Sequence, residues 1–186
     1  MAGAEDIILG DGVFTLYPTT VSTGIEIGLT RGGGEFTLTR EIRQIDADGD
    51  YGPVLGRMRK TRVEPTLTVR ALEILPANAV RFYAGTACSS AIGTFALMGS
   101  TAGISVFGTT STAEGFLRMV TWAGETKAGR DAVVYLYNPV NLEGDNTWEL
   151  IDKEEVVPEI KFTGTYRSTG RNDEPWRISW VTTSTA

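Results

Sequence analysis

The chain has no histidine and a single cysteine among its 186 residues. Without imidazole it builds neither a Ser-His-Asp triad nor the usual zinc donor sets, and one thiol closes no internal disulfide. Cys88 sits among serines with no basic neighbour to activate it, so it reads as an inert thiol. Charge is missing from residues 82–113, yet Gly85, Ser89, Ser90, Gly93, Gly99, Ser100 and Gly103 interrupt that stretch too often for a bilayer span. No membrane insertion is expected. The opening Met-Ala-Gly-Ala-Glu-Asp lacks a basic region followed by a long apolar one, so no secretory signal is expected and synthesis is assigned to the cytoplasm. Basic residues are outnumbered, 17 to 23, and the net charge of −6 argues against a general nucleic-acid binder, because neutralising phosphates takes clustered Lys and Arg. Among the 23 acids no spacing singles out a catalytic pair. The expectation is a protein without enzymatic activity, catalytic residues, cofactor or metal.

What the chain does have is one stretch, residues 35–74, around which the rest is organised. Phe36, Leu38 and Ile42 recur at even positions between polar residues, and Val63, Leu67, Val69 and Ala71 recur at odd ones, the mark of two half-buried strands. Between them lies a polar connection, residues 46–62, acidic at its start (Asp46, Asp48, Asp50) and basic at its end (Arg57, Arg59, Lys60, Arg62). Ordering such a connection costs about 1 to 2 kcal/mol per residue, and loops this long are usually functional or disordered. Tyr51, Val54, Leu55 and Met58 would each contribute about 1.5 to 3 kcal/mol if buried on a partner, against about 0 to 1 for an exposed ion pair. Apolar docking therefore outweighs charge, which sets orientation and partner choice. The stretch reads as a protruding, self-complementary arm.

Around it the pattern is mostly strand. Residues 7–9 and 13–17 flank Gly10-Asp11-Gly12 as an opening hairpin or docking arm within residues 1–22; Ile25, Ile27 and Leu29 alternate; Gly32-Gly33-Gly34 reads as a turn into the central hairpin rather than a phosphate cradle. Residues 76–85 read as a short helix with proline in its first turn and glycine at its exit. The uncharged insertion, residues 86–113, holds enough apolar material for one or two strands and is placed partly against a neighbouring subunit. Residues 116–122, 131–138, 156–166 and 176–180 supply the remaining strands, with Trp176 and Trp180 assigned to the core. A single domain over residues 1–186, mainly β with one short α-helix in the sandwich or barrel class, accommodates all of this.

Two sharper motifs weaken on inspection. Asp46, Asp48 and Asp50 have the one, three, five spacing of a calcium loop, but the sixth position is Tyr51 instead of glycine and the twelfth is Arg57 instead of glutamate. A solvated acidic turn or a subunit contact fits better. The cluster Arg57, Arg59, Lys60 and Arg62 lacks the interleaved aromatics of a single-strand binder apart from Tyr51, so it reads as a solvated face or a salt-bridge partner.

The strand pair Gly-Glu-Phe-Thr-Leu-Thr-Arg-Glu-Ile-Arg-Gln-Ile-Asp and Arg-Val-Glu-Pro-Thr-Leu-Thr-Val-Arg-Ala-Leu-Glu-Ile encloses the loop Asp48-Gly-Asp-Tyr-Gly-Pro-Val-Leu-Gly56, and the chain closes with Val-Pro-Glu-Ile-Lys-Phe-Thr-Gly-Thr-Tyr and Glu-Pro-Trp-Arg-Ile. In this arrangement, over residues 23–83 and 115–181, the chain resembles the major tail tube protein of tailed bacteriophages. Its motifs are short: Gly-Pro-Val-x-Gly in the loop and Pro-Trp-x-Ile near the end. The resemblance implies a β-sandwich subunit that closes into a ring, usually hexameric, with an inner β-barrel lining a channel. Rings stack into a tube, and residues 46–62 become the inter-ring arm. It implies tape-measure, tail terminator and baseplate proteins as partners, a place in the virion tail after assembly in the host bacterial cytoplasm, and double-stranded DNA that passes through the lumen without specific binding. The net charge of −6 permits such passage by repelling phosphates. Residues 86–113 depart from the family pattern. The competing expectations are a β-sandwich binding module for carbohydrate, a calcium-stabilised adhesion domain, or the tube protein of a secretion or contractile injection system.

Overall fold

The computed structural model describes residues 8–17, 24–45, 47–49, 51–73, 85–89, 95–99, 117–126, 130–140, 154–167, 170 and 172–182. The regular elements among them are strands: β1 (Ile8–Tyr17), β2 (Ile25–Glu26), β3 (Thr30–Gln44), β4 (Met58–Ala71), β5 (Gly85–Ser89), β6 (Phe95–Gly99), β7 (Met119–Thr126), β8 (Arg130–Tyr137), β9 (Pro139–Val140), β10 (Glu159–Gly164) and β11 (Trp176–Thr182). The protein is mainly β, with no helix among the described residues; the helix expected over 76–85 falls outside them, apart from Gly85, which opens β5.

The strands form two antiparallel sheets. One has the order β11-β8-β7-β1-β2 and the other β3-β4-β10-β9, while β5 and β6 form a separate two-stranded pair among the described residues. Residues opposite one another on antiparallel strands share a face. In the first sheet Phe14 and Leu16 of β1 lie opposite Trp122 and Val120 of β7, and Val120 opposite Leu136 of β8. In the second, Leu67 and Val69 of β4 lie opposite Phe162 and Ile160 of β10. These two apolar faces bury one shared cluster, joined by Ala71, Ile27 and Leu117, with Phe36, Trp122 and Trp176 packed at its margin. Phe162 is the largest side chain fully inside it. Burial of such a side chain is worth about 1.5 to 3 kcal/mol, so this cluster, and not the exposed ion pairs Arg31–Glu155 and Arg70–Glu159, holds the sheets together.

The odd-position expectation for β4 is met by Val63, Leu67, Val69 and Ala71, all buried. Pro65 is buried on the same parity, and it falls just past the last β4–β10 pair, Thr66 with Thr163, where the ladder on that side has ended.

Three local expectations are corrected. Gly10-Asp11-Gly12 is no turn: β1 runs through it with one register irregularity between Ile8 and Gly12, inside a sheet and between β7 and β2. Glycine is needed at position 12 because an added Cβ would stand 2.6 Å from both the Ala123 carbonyl and the Trp122 indole. Likewise Gly32-Gly33-Gly34 lies within β3 as a bulge, with φ of 76° and 68° at the first two residues and a register shift between Thr30 and Gly34. Trp180 is no core residue. It lies on the core-facing side of β11, but β11 is the sheet's edge, and the side chain is 59% exposed.

Candidate functional site: the distal hairpin

β3 and β4 pair from Thr30–Ala71 to Gln44–Met58, interrupted by two register shifts, and the ribbon is far longer than the body of the protein requires. The first half of this ribbon carries the core residues. From Thr39 to Arg43 and from Met58 to Arg62, however, every residue is exposed, on both faces of the ribbon. The hairpin therefore projects beyond the core as a two-stranded stalk. Ile42 and Ile45, at 62% and 55% exposure, sit on it; of the expected even-position series Phe36 packs against the core, Leu38 is half-buried and Ile42 is exposed.

The change from body to stalk coincides with a bulge. Glu41 lies opposite Arg62, but Ile42 lies opposite Lys60, leaving Thr61 as the extra residue. The Thr61 hydroxyl donates to the Glu41 carbonyl at 3.1 Å, which holds the bulge in place. A bulge of this kind bends and re-aims a ribbon. It also shifts the parity of β4, which is why Met58 and Lys60 sit at even positions while Val63 and Leu67 are odd.

Beside the bulge the ribbon is clasped to the other sheet. The Phe36 ring lies 6.1 Å from Trp176 at the start of β11, and the Arg40 guanidinium stands 5.7 Å from the same indole. One step outward, Lys60 donates to the Glu174 carboxylate. Lys60 holds the Glu174 carboxyl below its ordinary range, against the opposing effect of partial burial. The Trp176 indole N–H lies near the same carboxylate but outside hydrogen-bonding geometry, and it is buried without a partner. Arg62, on the opposite face, bridges to Glu64 at 2.6 Å.

Beyond Gln44 and before Met58 the strands open into the tip. The Ile45 amide donates to the Arg57 carbonyl at 3.0 Å and the Arg57 amide to the Val54 carbonyl at 3.2 Å, and the chain turns at Gly49 and Gly56 with φ of 94° and 92°. Tyr51 and Leu55 are fully exposed, at 107% and 97%, while Val54 is half-buried. Asp48 is exposed; Asp46 and Asp50 lie outside the described residues, so the calcium spacing falls outside them too.

The expected loop over 46–62 is thus two objects. Tyr51, Val54, Leu55 and Arg57 belong to the tip, whereas Met58, Arg59, Lys60 and Arg62 belong to β4 and carry the stalk. Ile42, Arg43, Ile45 and the clasp at Glu174 and Trp176 complete the site and were not assigned to it from the sequence. The even-position Met58 ahead of an odd-position core series was the available sign of the bulge. The clasp residues are 114 positions apart and leave no local sign.

Beside the clasp, a half-open cleft of about 250 Å³ lies between Asn138, Thr165, Arg167, Asp173 and Glu174. It is smaller than most small-molecule pockets. Its polar groups serve the chain turn, since the Asn138 carbonyl accepts from the Thr165 amide and hydroxyl while Asn138 holds φ of 45°. No helix of the described residues is long and apolar enough to cross a membrane. No protein-family model matches the chain, and no curated protein matches it.

Proposed function

We propose that this chain is a structural, self-assembling subunit of the tail-tube kind: stacked rings, six subunits to a ring, around a channel through which double-stranded DNA passes. The observation that carries this is the stalk and tip, a hairpin that presents Ile42, Ile45, Tyr51, Leu55 and Met58 to solvent well outside the core. Side chains of this kind gain about 1.5 to 3 kcal/mol each when buried, while association costs about 4 to 15 kcal/mol in lost freedom. One arm is marginal alone, and a ring of copies adds arms that dock together.

Two further features support the proposal. The arm differs in shape and charge from the body, so a contact between them is head-to-tail, the geometry that gives rings when it closes by rotation and filaments when it translates. The outer edge of β3 pairs with no strand among the described residues, and an open edge along a 15-residue strand suits lateral pairing with a second copy into an inner barrel. In this role the protein resides in the virion tail, assembles in the host bacterial cytoplasm, and meets tape-measure, terminator and baseplate proteins at the tube's interior and ends.

Solution mass and negative-stain microscopy of the full chain across a concentration series test this. Rings or tubes support it. A monomer at every concentration that gains thermal stability with calcium or a glycan refutes it in favour of a binding module.

A further inference from the structure

Arg43 and Arg59 are directly opposite one another on the stalk, one pair outward of Ile42 and Lys60. Opposed side chains in such a ladder have Cβ atoms about 4.5 to 5.5 Å apart and point to one side, and like charges so placed destabilise the pair. Both are exposed. By contrast Arg31, Lys60, Arg62 and Arg70 each hold a carboxylate, and Arg40 lies on the Trp176 ring. Among the described residues no carboxylate reaches Arg43 or Arg59. Among the described residues this is therefore a repulsive pair, carried on the projecting hairpin.

We infer that Arg43 and Arg59 form a docking clip for a carboxylate of a second copy of this chain. A carboxylate seated between two guanidinium forks accepts charge-assisted hydrogen bonds from both and converts their repulsion into attraction. Charge complementarity names the occupant. Residues 40–44 and 58–62 hold five of the chain's 17 basic residues and one of its 23 acidic ones, so the stalk carries +4, the tip over residues 45–57 carries −2 and the remainder of the chain −8. The body of another copy is thus the anionic surface the stalk fits, and the contact is necessarily between unlike surfaces. A nucleic-acid phosphate is the weaker occupant, because no aromatic flanks the pair for base stacking and the rest of the chain repels phosphate.

This inference rests on the self-assembly proposed above and specifies its chemistry. The test compares the full-length chain with Arg43→Glu/Arg59→Glu and Arg43→Lys/Arg59→Lys by sedimentation and negative-stain microscopy from 50 to 500 mM salt, with binding of a fluorescent DNA duplex measured alongside. The natural chain should assemble, with assembly falling as salt rises. Charge reversal should weaken assembly by about tenfold or more, with the lysine variant between the two. The reversed chain should retain its urea midpoint, which separates lost docking from lost folding. Undiminished assembly of the reversed chain overturns the clip while leaving self-assembly standing. Duplex binding that depends on the two arginines, with assembly untouched, also overturns it. A natural chain that never oligomerises refutes both the clip and the reading on which it rests.

Discussion

Replacing residues 43–59 by Asn-Gly removes the tip and outer stalk while leaving the body's contacts in place. Ile42 and Lys60 are already cross-strand partners, so a two-residue type I′ turn joins them without changing register. Lys60 keeps its pairing with Glu174, and Arg40 and Phe36 keep theirs with Trp176. The excised apolar side chains are Ile45, Val54, Tyr51, Leu55 and Met58, of which Tyr51 and Leu55 are wholly exposed, Ile45 and Met58 about half so, and none belongs to the core cluster. The expected change in unfolding free energy of the monomer is therefore within about 1 kcal/mol, as for other surface changes, equivalent to about 2 to 4 °C in Tm. Tryptophan fluorescence in a urea titration, at a concentration low enough to keep the natural chain monomeric, reads this directly. A loss of 3 kcal/mol or more would mean that the hairpin is part of the fold, and the argument that it exists for a partner would fail.

The core gives the contrasting case: Phe162→Ala should cost about 3 to 5 kcal/mol in the same titration, because the ring is fully enclosed between the sheets. Gly34→Ala should cost about 1 to 3 kcal/mol, since an added Cβ would stand 2.4 Å from the Thr68 carbonyl and 2.6 Å from the Phe14 ring; an unchanged midpoint would show that the bulge at 32–34 is misplaced. Glu174→Gln tests the clasp through pH. The Glu174 carboxyl is held below its ordinary value of 4.5 by Lys60, so its contribution is present above that value and is lost as pH falls through the lower folded one. Natural chain and variant should accordingly differ at pH 7 by no more than about 1 kcal/mol and converge in acid. A difference that grows on acidification contradicts the assignment.

Much of the core was legible because burial on one face of a strand imposes a period of two, as in Val63, Leu67, Val69 and Ala71, or Ile160 and Phe162. The glycine clusters were not. Gly10-Asp11-Gly12 and Gly32-Gly33-Gly34 supply the same residue type that a turn would, whereas Gly12 and Gly34 serve close approach to the Trp122 and Phe14 rings and Gly32 and Gly33 the positive φ of a bulge. The arm was visible as a long polar interruption, but its division was hidden by Thr61, a single inserted residue that moved Met58 and Lys60 out of phase with the core. Trp180 obeys strand parity and yet is exposed, because parity names a face and not whether anything covers it. The Lys60–Glu174 clasp joins distant segments, and no periodicity reports such a pair.

The central claim is that the projecting hairpin exists to be gripped by copies of the same chain. Cryo-electron microscopy of the full-length protein beside the Asn-Gly replacement, at matched high concentration, tests it most directly. The account predicts stacked rings for the natural chain with each arm seated on the body of a neighbour, and no stacking for the shortened one. Equal tubes from both chains, or a solitary natural chain with its arm free in solvent, would contradict it.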